Sequence, residues 1–303
     1  MFLKFRYRLG YESLCREVSD SISWQRFARI PFGTTVPHPT TLMKITTRCG
    51  DGAVAGLNEA LLVKAAGAKL LRTDKVRADT TVVGADVAYP TDSGLLAKAI
   101  TKIARTVGRI KADGGATRTR SRDRRRAAGR RARAIAGKLK LRGAQQREEA
   151  QATVARITGE LAGLAEAAMR EADAVLRNAR RALRNATGQT KGRLCRAINE
   201  LDTTMQRTRQ VVAQTRSRLA GVMPEASNRL VSFHDPDARP IRKGRLGKPV
   251  EFGYKAQIVD NVDGVILDHS VELGNPADAP QLAPAIARVT RRAGRAPRAV
   301  TAE

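Results

Sequence analysis

Aromatic side chains are scarce, at 4% of the 303 residues, and carboxylates are scarce beside cations, with 29 Asp and Glu against 56 Lys and Arg. The resulting formal net charge of +27 points to a polyanionic partner, because neutralising phosphates releases condensed counterions and adds sequence-independent affinity. An anionic membrane surface is the alternative partner. Runs of about 18 apolar residues are missing, which excludes a spanning helix. Met1-Phe2-Leu3-Lys4 lacks the apolar stretch of a signal peptide, so the expectation is a cytoplasmic, nucleoid-associated chain. Cysteines are few and far apart: Cys15, Cys49 and Cys195 offer neither a C-x-x-C pair nor His-Cys spacing, which excludes a zinc site and fits reduced thiols. What is present, 42% hydrophobic residues, suffices for a core in one large or two ordinary domains.

Four textures follow one another. Residues 1–72 form the first and read as an N-terminal helical, DNA-binding domain. Leu14, Val18, Ile22 and Phe27 space as the buried faces of two short helices, with Asp20 or Ser21 as a cap between them. "PFGTTVPHPTTLMK" then turns through Thr40 or Thr41 into a third helix, and residues 53–72 look like another. Short helices carrying Arg26, Arg29, Lys44 and Arg48 are compatible with a helix-turn-helix-like reader, and equally with any small bundle.

Residues 73–94 contain "KVRADTTVVGADVAYPTDSG", β-branched and extended, with Asp79 inside a run that otherwise reads as a buried strand. Residues 95–225 are helical throughout. One apolar stripe runs Leu96, Ile100, Ile103, Val107, Ile110 up to Gly114-Gly115. A second runs from Val154 to Leu183 and a third from Leu194 to Val222, on either side of the turn "NATGQTKG". Their three-and-four spacing predicts an antiparallel, coiled-coil-like helical hairpin, weakened by Thr208 and Thr215 on the seam. Residues 226–303 bring a basic loop, a hairpin turning at Asn261-Val262-Asp263-Gly264, a helix near 275–294 with Asp278 as N-cap and Pro280 in its first turn, and the strand "RAVTAE".

Two groups of residues carry candidate chemistry. "RTRSRDRRRAAGRRAR" (118–133) is basic at nearly every polar position, and only Asp123 offsets it locally. A solvated face is the plain explanation; phosphate contact by Arg118, Arg120, Arg122, Arg124, Arg125, Arg126, Arg130 and Arg131 is the functional one. The second group emerges from the order strand, antiparallel pair, helix, strand. A right-handed crossover would lay the last strand parallel to an earlier one. With the Asp79 strand as that neighbour, Asp79 and Glu303 stand side by side, as oxygen ligands of divalent cations in two-metal phosphodiester chemistry do. Asp79 as a strand-edge acid or turn cap is the alternative, against which stands the cost of burying a lone charge between Val76 and Val82-Val83.

The motifs together resemble the acidic-triad (DDE) transposases of bacterial insertion sequences, over almost the whole chain. "FRYRLGYESLCREVSDSISWQRFARIP" with "VPHPTTL" looks like the N-terminal domain common in those proteins. "RADTTVV" and "AYPTDSGLL" resemble the first-acid motif, "GYKAQIVDNVDGVILDH" the strand pair after the family's insertion, "GNPADAPQL" the start of the crossover helix, and "PRAVTAE" the second-acid strand.

The resemblance implies an α+β, mostly helical protein. Its ribonuclease-H-like core would be incomplete, interrupted by the long helical hairpin insertion and truncated at the C-terminus. Asp79 matches the first catalytic and metal-binding acid; Glu303 occupies the second, where Asp is usual, and nothing matches the third. The implied cofactor is Mg²⁺, which activates water and then a DNA 3′-hydroxyl in intact members. Implied partners are double-stranded DNA bearing the element's terminal inverted repeats and further copies of the chain, with no membrane. Lys255 in "GYK" approaches phosphate near the site or serves as a sheet-edge lysine. The expectation is a DNA-binding chain that is catalytically incomplete on its own. A non-catalytic basic helical-hairpin protein that binds nucleic acid architecturally is the alternative, and a scaffold dimerising through its helices is a third.

Overall fold

Helix periodicity and strand alternation translate directly into most elements of the computed structural model, which describes residues 2–139, 144–242 and 249–302. The order is α1 (Phe2–Arg6), α2 (Tyr11–Asp20), α3 (Ile22–Phe27), α4 (Pro39–Gly67), β1 (Lys75–Gly84), α5 (Asp92–Ala112), α6 (Arg125–Lys138), α7 (Ala144–Asn185), α8 (Gly188–Leu219), β2 (Arg239–Arg242), β3 (Val250–Asn261), β4 (Ile266–Glu272), α9 (Ala279–Ala293) and β5 (Ala299–Ala302). The chain is thus mostly helical with a small mixed sheet. Two compact units divide it, one made of residues 1–76, 261–267 and 286–300, the other of 77–260, 268–285 and 301–303.

In the first unit, Leu14, Cys15 and Val18 of α2 are buried, as their spacing predicts. Ile22 and Phe27 are not: both are well exposed on the six-residue α3, which is too short to close a face. Aromatic pairing replaces burial there, with Tyr7 stacked on Trp24 and Phe27 tilted onto Phe2. Ser21 is the cap between α2 and α3, its Oγ accepting the Trp24 amide. The two helices expected at 40–72 run together as α4, but Gly50, at φ 68° and ψ −172°, breaks the helical path in a region that strongly favours glycine. Within the same unit, the hairpin turn is held by Asn261, whose Oδ1 accepts the amides of Asp263 and Val265. Arg292 of α9 pairs with Glu59 of α4.

In the second unit, α5, α7 and α8 pack on one another and α6 lies against α5 and α7. All five residues of the first predicted stripe are buried, and Leu161, Ala172, Leu176, Ala179, Leu194, Leu201 and Met205 join them in one apolar cluster. α7 and α8 therefore do not rely on each other alone, because α5 lies against both. The seam threonines are accommodated locally: the fully buried hydroxyls of Thr208 and Thr215 donate to the carbonyls of Thr204 and Val211 one turn back, which satisfies them without a partner helix. After α8 the chain is tied down by Gln214, whose buried amide donates to the Leu230 carbonyl and accepts the Leu230 N–H, both at 3.1 Å.

The sheet runs β2-β3-β1-β5, with β4 on β3. β3 runs opposite to β1: the Ala85 amide at the end of β1 donates to the Phe252 carbonyl, while Arg77 near its start pairs with Asp260. Close approach of the two strands explains Gly253 of "GYK". A Cβ there would lie 2.1 Å from the Val83 carbonyl oxygen.

Candidate functional site

β1 alternates as a half-covered strand should. Val76 and Ala78 are buried, and Lys75, Arg77, Asp79 and Thr81 are exposed on the other face. Asp79 accordingly pays no burial penalty, which overturns the argument from its apolar neighbours. Val82 is half-buried and Val83 exposed, so the run never becomes a fully buried strand. The carboxylate is held locally, with Oδ1 accepting the Thr80 amide at 2.7 Å.

Beside Asp79 lies a cavity of about 280 Å³ within the second unit. Its walls are Ala78, Asp79 and Thr80 of β1, Gln257 of β3, Asp278 with Ala279 and Leu282 at the start of α9, and Ala302 of β5. The crossover helix thus brings the last strand next to β1, and the residue preceding Glu303 lines the same cavity as Asp79. Glu303 itself lies outside the described residues. α9 begins at Ala279, immediately after Asp278, whose carbonyl accepts the Gln281 amide. Its carboxylate is engaged by Lys255, whose ammonium is also held by the Pro276 carbonyl at 2.7 Å. With its side chain only 13% exposed, Lys255 is anchored to the segment that leads into α9 rather than projecting into solvent.

Sequence reasoning missed two members of this cavity. Asp278 was legible only as a helix cap. Gln257, 5% exposed, holds its Oε1 buried with no hydrogen-bond partner. The one sequence signal for it is a glutamine interrupting the alternation of "YKAQIVD". Among the described residues no three His, Cys, Asp or Glu side chains cluster as a metal site.

The arginine-rich segment lies in the loop before α6 and in α6 itself. Its local charge balance misleads, because carboxylates arrive from α7. Arg124 donates to both oxygens of Glu171 at 2.6 and 2.8 Å, and the Arg122 amide adds a third bond. The Arg124 guanidinium holds the Glu171 carboxyl far below the usual carboxylate range, at about 2. Arg131 pairs with Glu160 at 2.8 Å, and Arg125 with Asp123 at 2.7 Å. In both cases the arginine lowers the carboxyl's pKa through its hydrogen bond. Arg118, Arg120, Arg122, Arg126 and Arg130 are exposed, and none of their guanidinium groups has an ion pair with a described residue. The free cationic face is therefore narrower than the sequence suggests. Arg26 of α3, Arg29 in the turn after it, and Lys44 and Arg48 of α4 are exposed as well.

Among the described residues no helix is long and apolar enough to cross a membrane. Residues 1–48, from α1 into the first part of α4, match the family model described as Transposase domain (DUF772). No curated protein and no solved structure matches the chain.

Proposed function

We propose that this chain is a DNA-binding transposase of the insertion-sequence type, built on a ribonuclease-H-like core into which α5 to α8 are inserted. The match of residues 1–48 to a transposase domain supports the family. One observation carries the rest: β5, reached through α9, lies beside β1, and Ala302 shares a cavity with Asp79. That order, an antiparallel β4-β3 pair, then β1, then a strand delivered by a crossover helix, is what a carboxylate site shared between adjacent strands requires. Asp79 is the first acid and Glu303 the second.

Mg²⁺ would bring charge neutralisation of the scissile phosphate and a water of lowered pKa. The described residues do not make a complete site for it, since Asp79 is one carboxylate on an open face and Asp278 is already paired with Lys255. The chain's own contribution is to hold DNA backbone through the unpaired arginines of the segment before and within α6, and to present Asp79 at the sheet.

Duplex binding measured by fluorescence anisotropy across a salt series tests the DNA part. Five phosphate contacts predict a slope of log K against log salt of roughly −4 to −5. Binding that ignores salt, or no binding, would overturn it and favour a helical scaffold. Because Asp79 stands on an open face and Asp278 is paired with Lys255, the catalytic part predicts no Mg²⁺-dependent strand transfer when residues 1–303 are assayed by themselves. Mg²⁺-dependent nicking or joining that vanishes in Asp79→Ala would show that the site is complete after all.

A further inference from the structure

The face of α5 turned away from the core is built from cations and very small residues. Leu96, Ile100, Ile103, Val107 and Ile110 belong to the apolar cluster. Helical spacing puts Lys102, Arg105 and Arg109 on the opposite side as one stripe, with Ala104, Gly108 and Ala112 as a second stripe beside it. Both stripes line an open groove of about 760 Å³, whose walls also include Arg125, Glu200 of α8 and His234.

The charges of the groove do not cancel. Its lining carboxylate, Glu200, is paired with Arg109 and also accepts the Thr106 hydroxyl at 3.3 Å. Arg125 is answered by Asp123. Lys102, half-buried, and Arg105, exposed, are left, and neither has an ion pair with a described residue. Cations lining a concavity focus their field there, so the complementary occupant is anionic.

Gly108 is an independent sign of an occupant. Glycine inside a helix is destabilising relative to alanine, so its presence calls for a reason. At Gly115 the reason is packing, since a Cβ there would lie 2.6 Å from the Leu194 side chain. At Gly108 a Cβ would meet nothing within 4 Å, so no neighbour in the fold forbids a side chain. Bare backbone on the groove floor leaves room for a ligand to come close.

We propose that this groove seats the phosphate backbone of duplex DNA, with Lys102 and Arg105 as contacts and Gly108 as the floor. This rests on the DNA-binding transposase reading and adds a site that the arginine-rich segment does not supply. Arg125 belongs to both, so bound DNA spans the segment and the groove.

Anisotropy titrations of a labelled duplex with the full chain decide it. Two more contacts steepen the wild-type slope of log K against log salt by about 2 beyond that of the arginine segment. Lys102→Gln/Arg105→Gln should remove that increment and weaken binding at about 0.1 M salt by roughly 10- to 60-fold. Arg177→Gln/Arg181→Gln takes the same charge from exposed positions of α7 outside the groove, and should weaken binding by about 3-fold or less. Gly108→Leu changes no charge but fills the floor, and should weaken binding by about 10-fold, the equivalent of one lost contact. It should melt no lower than the wild type, because leucine is the better helix former.

Equal weakening by the two double variants overturns the proposal, because attraction then follows total charge alone. A Gly108→Leu protein that folds and binds like the wild type also overturns it. Where Gly108→Leu melts several degrees lower, Ala112→Leu, at an exposed position on the same floor, repeats the test. Wild-type binding that no groove variant touches leaves the groove to an acidic protein segment and sinks this inference alone. No binding of duplex by the wild type is a different result: it removes the DNA-binding reading, and this inference with it.

Discussion

The helical body α5 to α8 and the sheet around Asp79 treat their polar groups in opposite ways. In the helices, buried polar atoms are satisfied close to home: Thr208 and Thr215 bond one turn back, Gln214 clasps Leu230, and Arg124 meets Glu171 bidentately. At the sheet, Asp79 is open to solvent, Gln257 is unpaired, and all four residues of β5 are exposed. The helical body is not wholly satisfied, since Asp92 Oδ1 at the start of α5 is buried without a partner, but its paired groups tie one segment to another, whereas Asp79 at the sheet is held only by its neighbour's amide.

Breaking the helical side should produce the largest effect. Leu201 is fully buried where α8 meets its neighbours, and Leu201→Ala should destabilise the protein by about 2–5 kcal/mol in urea unfolding. The matching truncation at the sheet edge, Val300→Ala at a residue 42% exposed, should change stability by less than about 0.5 kcal/mol. Equal losses at the two sites would erase the contrast.

A smaller effect is expected from the Arg124–Glu171 clasp. The pKa of Glu171 falls from 4.5 to about 2 on folding, so its contribution is present in full above pH 4.5 and is lost as pH falls through about 2. The carboxylate is a third exposed, and solvent screening reduces the linkage to about 1–2 kcal/mol. Urea midpoints should therefore decline between pH 5 and pH 2, and Glu171→Gln should start lower and decline less. A variant whose pH profile parallels the wild type would remove the clasp from the account. The smallest effect belongs to Asp79→Asn, which keeps the acceptor for the Thr80 amide. It should leave stability within about 0.5 kcal/mol while abolishing any metal-dependent activity of a complete site. A larger loss of stability would mean that Asp79 is structural.

Much of the architecture was legible because its signals are local. The stripe from Leu96 to Ile110 has the helical period, "NVDG" has turn chemistry with Gly264 at φ 72°, and Asp278 announces the start of α9. Ile22 and Phe27 misled because spacing alone does not say whether a helix is long enough to bury its face. Asp79 misled in the same way, since neighbouring valines imply burial only where a second layer covers that side of the strand.

The candidate site was less legible. Its walls come from residues separated by up to 224 positions, Ala78 on β1 to Ala302 on β5, and no local pattern ties Gln257 to Asp79. The arginine segment shows the same limit: Glu171 lies 47 residues from Arg124, so charge counting within the segment overstates what is free.

By itself the sequence determined the period of each element, the places where the chain turns and the surplus of positive charge, because these depend on neighbours within a turn or a strand. The tertiary structure alone decided which arginines are neutralised, that Asp79 faces outward, and that Gln257 on the covered face of the sheet is shut in with its Oε1 unpartnered. Those outcomes depend on which surfaces the packing of α7, α9 and β5 covers, and coverage is a property of the assembled layers rather than of any stretch of chain.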